Sequence, residues 1–218
     1  MAFTVDVVLL TAHGDQLTML VRRAPDAKAR ERWVLPWEGQ AGDEPLNAVA
    51  ARLAYAATGV EPAWMEQVGA FGDGRRHPGD TSLSVAYVGV VAFGGAHTED
   101  DAMMWVSAAE LPSMAPRQRA MADAALETVR FRLDYAPVAF RLLPAVFTLS
   151  ELQQMYELLL GRRLHKASFR RALQAAWLVE PIDEWRSEGR GRPAQLFKYA
   201  PRKRRHGRRG VRFELLGA

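Results

Sequence analysis

Apolar and polar positions follow one regime up to about residue 134 and another beyond it. Phe3 to Leu10 is rich in Val and Leu and predicts a buried strand. Gln16 to Arg22 predicts its partner, joined through His13-Gly14-Asp15. Thr81 to Phe93 is a longer β-type run closed by Gly94-Gly95, and Met103 to Val106 a short one. Between them, Glu44 to Ala57 reads as a helix, with Asp43 as its N-cap and Gly59 as its C-cap. Mixed strands around one strong helix predict an α/β sandwich. Gln118 to Asp134 is a long amphipathic helix leading out of it.

The last third has a different rhythm. Thr148-Leu-Ser-Glu151 is a capping box before the apolar run Leu152 to Leu160, and Gly161 stops that helix. A second helix begins at Lys166 or Ser168 and runs to Trp177, so the pair makes a helix-turn-helix. Phe169, Leu173, Trp177 and Leu178 fall at helical spacing and are expected in the core. Leu178 to Ile182, the polar stretch Asp183 to Gly191, and Arg192 to Tyr199 read as a strand, a loop and a strand. Helices followed by a hairpin predict a winged helix. Such a domain places its second helix in the DNA major groove. Lys166, Ser168, Arg170 and Arg171 then face duplex DNA, and Arg190 and Arg192 reach it from the wing.

Charge sharpens this division. Residues 1–149 carry 13 Lys and Arg against 18 Asp and Glu, whereas residues 150–218 carry 16 against 7. An acidic body joined to a basic end implies that only the end meets a polyanion. A merely solvated surface is the plain alternative. The basic run Arg202 to Arg209 adds non-specific, salt-sensitive affinity. There is no cysteine, which excludes disulfides, thiolate nucleophiles and Cys-ligated zinc. The five histidines show no metal-ligand spacing. No apolar run is long enough for a membrane helix and no export signal is visible, so a cytoplasmic protein without membrane contact is expected.

One stretch carries the outline of phosphate chemistry without its ligands. It reads Trp33-Val-Leu-Pro-Trp-Glu-Gly39, then Gly42-Asp-Glu-Pro-Leu-Asn47, then Ala50 to Val60. This resembles the Nudix box: Gly, five residues, Glu, seven residues, then Arg-Glu-apolar-x-Glu-Glu-x-Gly-apolar. Anchored on Gly59, the arginine falls on Arg52 and the upstream glutamate on Glu44. The helix glutamates fall on Leu53, Ala56 and Ala57, and the first glycine on Glu38. Divalent cations need hard oxygen ligands, and one surviving carboxylate cannot hold a metal cluster. No metal, no cofactor and no catalytic residue is therefore expected.

Both parts together resemble the Nudix-related transcriptional regulators of the NrtR type. The resemblance is most specific in Leu133-Asp-Tyr-Ala-Pro-Val-Ala-Phe140, Leu142 to Leu152, Lys166-Ala-Ser-Phe-Arg-Arg171 and Gly189-Arg-Gly-Arg-Pro-Ala194. It implies an α+β chain: a Nudix α/β/α sandwich with a mixed sheet, then a winged helix-turn-helix domain. The expected boundaries are 1–134, 135–201 and a basic tail at 202–218. It also implies a homodimer on a palindromic double-stranded DNA operator. The first domain would sense a small phosphorylated metabolite such as ADP-ribose, in control of NAD, nucleotide or pentose metabolism genes. Effector contacts are expected from Arg22, Arg23, Trp33, Trp37, Phe71 and Arg76. Three places depart from the family pattern: Trp37-Glu38 replaces a glycine pair, Arg76-His77-Pro78-Gly79 stands for Arg-Asp-Pro-Arg, and Ser168 stands where the family usually has asparagine before Phe-Arg-Arg. The rival readings are a divergent Nudix hydrolase and a non-specific nucleic-acid-binding protein.

Overall fold

The computed structural model describes residues 3–24, 32–92, 102–187 and 193–200. Strand β1 (Phe3–His13) is the spine of the first unit, and its interior is fully buried. On one edge it pairs in parallel with β6 (Ser84–Val90). On the other edge it pairs antiparallel, first with β4 (Trp37–Gln40) and then with β2 (Gln16–Arg23). Strands β3 (Trp33–Val34) and β7 (Met103–Ser107) add to β2, and β5 (Trp64–Phe71) adds to β6. The result is a seven-stranded mixed sheet with the path β3-β2-β1-β6-β5.

Side chains alternate across β1, so its two faces bury different things. Val5, Val7 and Leu9 pack with Val49, Ala50, Ala54 and Ala57 of α1 (Leu46–Thr58). The opposite face carries Asp6, whose carboxylate is bonded to Gln118 of α2 (Pro116–Arg132). The two helices therefore cover opposite faces, which is the sandwich expected.

Helix α1 starts later than its sequence signals imply. Pro45 is the N-cap, in extended conformation, and no side chain caps it. The expected cap Asp43 and first residue Glu44 lie outside the helix. A residue before proline is disfavoured in the α region, which excludes Glu44. Gly59 ends the helix in the left-handed conformation, as expected, with φ 71°. The expected strand from Thr81 to Phe93 spans only Ser84–Val90 in β6.

Contacts divide the chain between Val129 and Arg130. The second unit holds α3 (Val138–Arg141), β8 (Val146–Thr148), α4 (Leu149–Leu160), α5 (Lys166–Ala176), β9 (Val179–Arg186) and β10 (Ala194–Tyr199). Its three strands form an antiparallel sheet ordered β8-β10-β9. Phe140 is central to an aromatic core, 4.5 Å from Tyr199, 5.8 Å from Phe147 and 6.2 Å from Tyr156. Phe169 of α5 joins through Tyr156 at 5.4 Å. Helix, turn, helix and hairpin around that core make a winged helix.

Phe169, Leu173 and Leu178 are buried as expected, but Trp177 is 48 % exposed. The helix stops at Ala176, and Trp177 takes a left-handed backbone with φ 53°. The periodic stripe therefore ends one residue before the indole. The expected polar loop is also shorter, because β9 continues through Arg186.

The Thr148 hydroxyl accepts from the Glu151 amide, and the Glu151 carboxylate accepts from the Thr148 amide at 2.6 Å. This box fixes the start of α4 just where β8 ends. Thr148→Ala is expected to cost about 1 kcal/mol, the usual worth of an N-cap. Urea denaturation of the variant against the parent protein checks it.

Candidate effector pocket and nucleic-acid interface

Alanines make up much of the buried face of α1. Ala50 and Ala54 are fully buried and Ala57 nearly so, while Leu53 packs at the edge of the same cluster. Thus, of the three positions where the Nudix box has helix glutamates, two serve the core and the third, Ala56, is exposed. The two acids beside the helix, Glu38 and Glu44, are held differently. Arg52 donates through Nη1 to Glu38 at 2.9 Å and through Nη2 to Glu44 at 2.9 Å. A second contact makes the Glu38 pairing two-pronged. Hydrogen bonds donated to Glu38, then to Glu44, push the Arg52 pKa above its ordinary value. The carboxylate at the old glycine position thus binds an internal cation. Among the described residues, no three His, Cys, Asp or Glu side chains converge as metal ligands would.

The expected effector residues fall into separate groups. Arg22 and Arg23 end β2 and are opposed by Val34 and Trp33 of β3. The Arg23 guanidinium lies 5.6 Å from the Trp33 ring centre, a cation–π pair. Phe71 ends β5 opposite Ser84, and Arg76 is exposed in the connection that follows. Trp37 lies opposite Asp6 in the β1–β4 pairing. Its indole meets His77 edge-on at 5.1 Å. A Cβ on Gly79 would stand 2.8 Å from the same indole, closer than side chains approach. Two departures from the family pattern, Trp37 and Gly79, therefore fit one another.

The sequence reading missed the most deeply buried polar cluster. Asp6 is fully buried in β1. His77 Nε2 lies 2.8 Å from its Oδ1, and Gln118 Nε2 donates to the same oxygen at 2.7 Å. The Gly79 amide donates to His77 Nδ1 at 2.9 Å. That nitrogen must hold a lone pair, so the proton sits on Nε2 and points at Asp6. The Gln118 oxygen accepts from the Leu35 amide at 3.1 Å. Beside it, buried Arg117 donates to the Thr81 carbonyl at 2.6 Å and to Ser84 Oγ at 3.3 Å. Asp6 Oδ2 and Arg117 Nε have no protein partner. One signal was readable: a lone carboxylate inside the run Val5-Asp6-Val7-Val8 needs buried partners.

In the second unit, Lys166, Arg170 and Arg171 are exposed along α5 while Phe169 and Leu173 point inward. Gln174 is exposed on the same helix and was not anticipated. Ser168 is half-buried, with its Oγ 3.2 Å from His165 Nδ1, so part of its bonding capacity is spent locally. Arg190, Arg192 and the tail from 202 lie outside the described residues.

Glu157 sets the turn before α5. It accepts from the Leu164 amide at 2.9 Å, Gln153 at 2.8 Å and Arg163 at 3.0 Å. Burial pushes its pKa up, but these bonds outweigh burial and leave it below the ordinary value. The resulting stabilisation is complete above the unfolded carboxylate range and is lost as pH falls through the folded value. Glu157→Gln is expected to cost about 1 kcal/mol at neutral pH. The parent protein should also lose more stability than the variant when taken below about pH 4. Urea midpoints of both proteins across pH check the sign.

Residues 139–199 match the family model described as the NrtR DNA-binding winged helix domain. The chain is 29 % identical over 204 residues to a protein of Acinetobacter baylyi named ADPR responsive transcriptional repressor NtrR, covering 90 % of this chain and 81 % of that one. The crystal structure of Shewanella oneidensis NrtR in complex with a 27mer DNA is similar at a TM-score of 0.79 and 29 % identity, covering 91 % of this chain and 94 % of that chain. A MutT/nudix family protein from Enterococcus faecalis shares the fold at a TM-score of 0.73 and 21 % identity, covering 91 % of this chain and 88 % of that one. Its last third thus carries the sequence pattern of an NrtR-type winged helix, and over nine-tenths of its length the chain is similar to NrtR proteins in sequence and in the order of its two domains.

Proposed function

We propose that this chain is a ligand-responsive, DNA-binding transcriptional regulator, with repression as its mode of control. The observation that carries the reading is the pairing of two domains in one chain. An NrtR-type winged helix follows a Nudix-like sandwich whose box helix presents Leu53, Ala56 and Ala57 in place of acids. The first domain senses a nucleotide and does not hydrolyse it. Arg52 already occupies Glu38 and Glu44, so neither of these two carboxylates is left to gather a divalent cation.

The winged helix binds DNA through α5. Lys166, Arg170 and Arg171 supply positive charge, and Gln174 continues the exposed face. Arginine pairs bidentately with guanine in the major groove, and lysine neutralises phosphate. Arg190 and Arg192, which lie outside the described residues, are proposed to add to the contact, and two copies of the chain bind a palindromic site. The similarity to an ADPR-responsive repressor and to a DNA-bound NrtR supports this reading. It makes ADP-ribose the first nucleotide to test.

Fluorescence anisotropy on DNA from the chain's own upstream region is the decisive measurement. Salt-sensitive, sequence-selective binding is expected, with Arg170→Ala and Arg171→Ala each losing about 1–3 kcal/mol where the arginine reads a base. ADP-ribose should alter the affinity, and Mg²⁺ should release no phosphate from it. Equal binding to RNA and scrambled DNA would favour the non-specific reading. Brisk metal-dependent hydrolysis would favour the enzyme.

A further inference from the structure

The connection between β5 and β6 is fastened to the first turn of α2 at three points. The Arg117 amide donates to the Arg76 carbonyl at 3.2 Å. The Arg117 side chain holds the Thr81 carbonyl at 2.6 Å. His77 reaches Gln118 through the shared Asp6 oxygen, with legs of 2.8 and 2.7 Å. All four side chains are buried at 2 % exposure or less. Between these fastenings the backbone turns through Asp80, which adopts φ 47°, a left-handed conformation uncommon for a non-glycine residue. Helix α2 then runs unbroken to Arg132, past the boundary between the two units at Val129 and Arg130.

Gln118 is tied in two directions. Its amide nitrogen serves Asp6, and its oxygen holds the Leu35 amide immediately before Pro36-Trp37. Trp37 in turn touches His77 and lies against Gly79. A displacement of the 76–81 segment or of Trp37 therefore cannot leave the start of α2 unaffected without breaking a buried hydrogen bond. Buried bonds of this kind have no water to replace the lost partner, so the cluster favours moving as a unit. The unpartnered Asp6 Oδ2 and Arg117 Nε leave capacity for a second bonding arrangement within the same cluster.

We infer that Asp6, His77 and Gln118 are positioning residues that couple the 76–81 segment to helix α2, setting how strongly effector binding changes DNA binding and not how tightly either ligand binds. The inference rests on the proposed function, since it needs an effector site that involves this segment. Coupling between two sites is a free energy separate from either affinity, so it can be removed alone.

The test uses the full chain and ADP-ribose as probe. DNA affinity is measured with and without ADP-ribose, and ADP-ribose affinity by calorimetry, for the parent protein and for Gln118→Met. The variant is expected to keep both single affinities within about threefold, while the ratio of DNA affinities with and without ADP-ribose falls to about one. A full ratio in the variant overturns the inference. Hydrogen exchange on the unmodified protein covers the case of a variant that does not fold. ADP-ribose should change protection at the amides of Leu35, Gly79 and Arg117 and along α2; change confined to residues 71–81 overturns it. If the parent protein shows no ADP-ribose effect on DNA at all, the proposed function fails for this nucleotide and takes the inference with it.

Discussion

A single carboxylate inside the first unit dictates much of its architecture. Asp6 stands in the central strand with no access to water. A charge there is tolerated only when donors surround it. Those donors come from the β5–β6 connection, through His77, and from α2, through Gln118. The requirement thus pins a loop and a helix to the same point of the sheet. Apolar packing on that face could hold α2 in several rotations, whereas the Gln118 bonds to Asp6 at 2.7 Å and from the Leu35 amide at 3.1 Å select one. The opposite face needs no such device, because small side chains let α1 lie close against Val5, Val7 and Leu9.

The box helix is a packing surface at two of the positions where the Nudix box has glutamates. Ala57 and Leu53 have joined the core, and alanine also favours the helix itself. Glu38 brings a second carboxylate to a place where glycine is expected, and Arg52 answers it. The trio is more than a quarter exposed at every member, so its contribution to stability is screened by solvent. Its consequence is chemical. An acid bound two-pronged to a guanidinium is a poor ligand for magnesium, because the same lone pairs are already engaged.

What the sequence made legible follows from which features have a period. The apolar runs of β1, β2 and β6, the capping box at Thr148 and the glycine stops at Gly59 and Gly161 all have local causes, and all are present. Strand β5 was not legible. Its register shifts between Gln67 and Gly69, which breaks the alternation that marks a strand. Strands β3, β4 and β8 are too short to show any period. The start of α1 was misplaced because Asp43 looks like a cap while Pro45 decides the backbone, and Trp177 because a stripe continues on paper after the helix has ended. The exposed basic residues of α5 were readable from spacing. The Asp6 cluster was not, since its members are separated by 71 and 112 positions and only the fold brings them together.

The two units divide the electrostatic labour in a way that composition alone foreshadows. In the acidic body Arg117 is turned inward onto Thr81 and Arg52 is paired with Glu38 and Glu44. In α5, by contrast, Lys166, Arg170 and Arg171 stand in solvent, and the acidic residue nearest in function, Glu157, is spent on the turn. A cation committed to a buried carbonyl cannot neutralise a phosphate, whereas an exposed one releases counterions on contact with DNA. Net charge by itself would spread affinity evenly over a polyanion. Under the proposed function, a few cations presented on one helix, with the turn before it held by Glu157, would convert attraction into a register on the duplex.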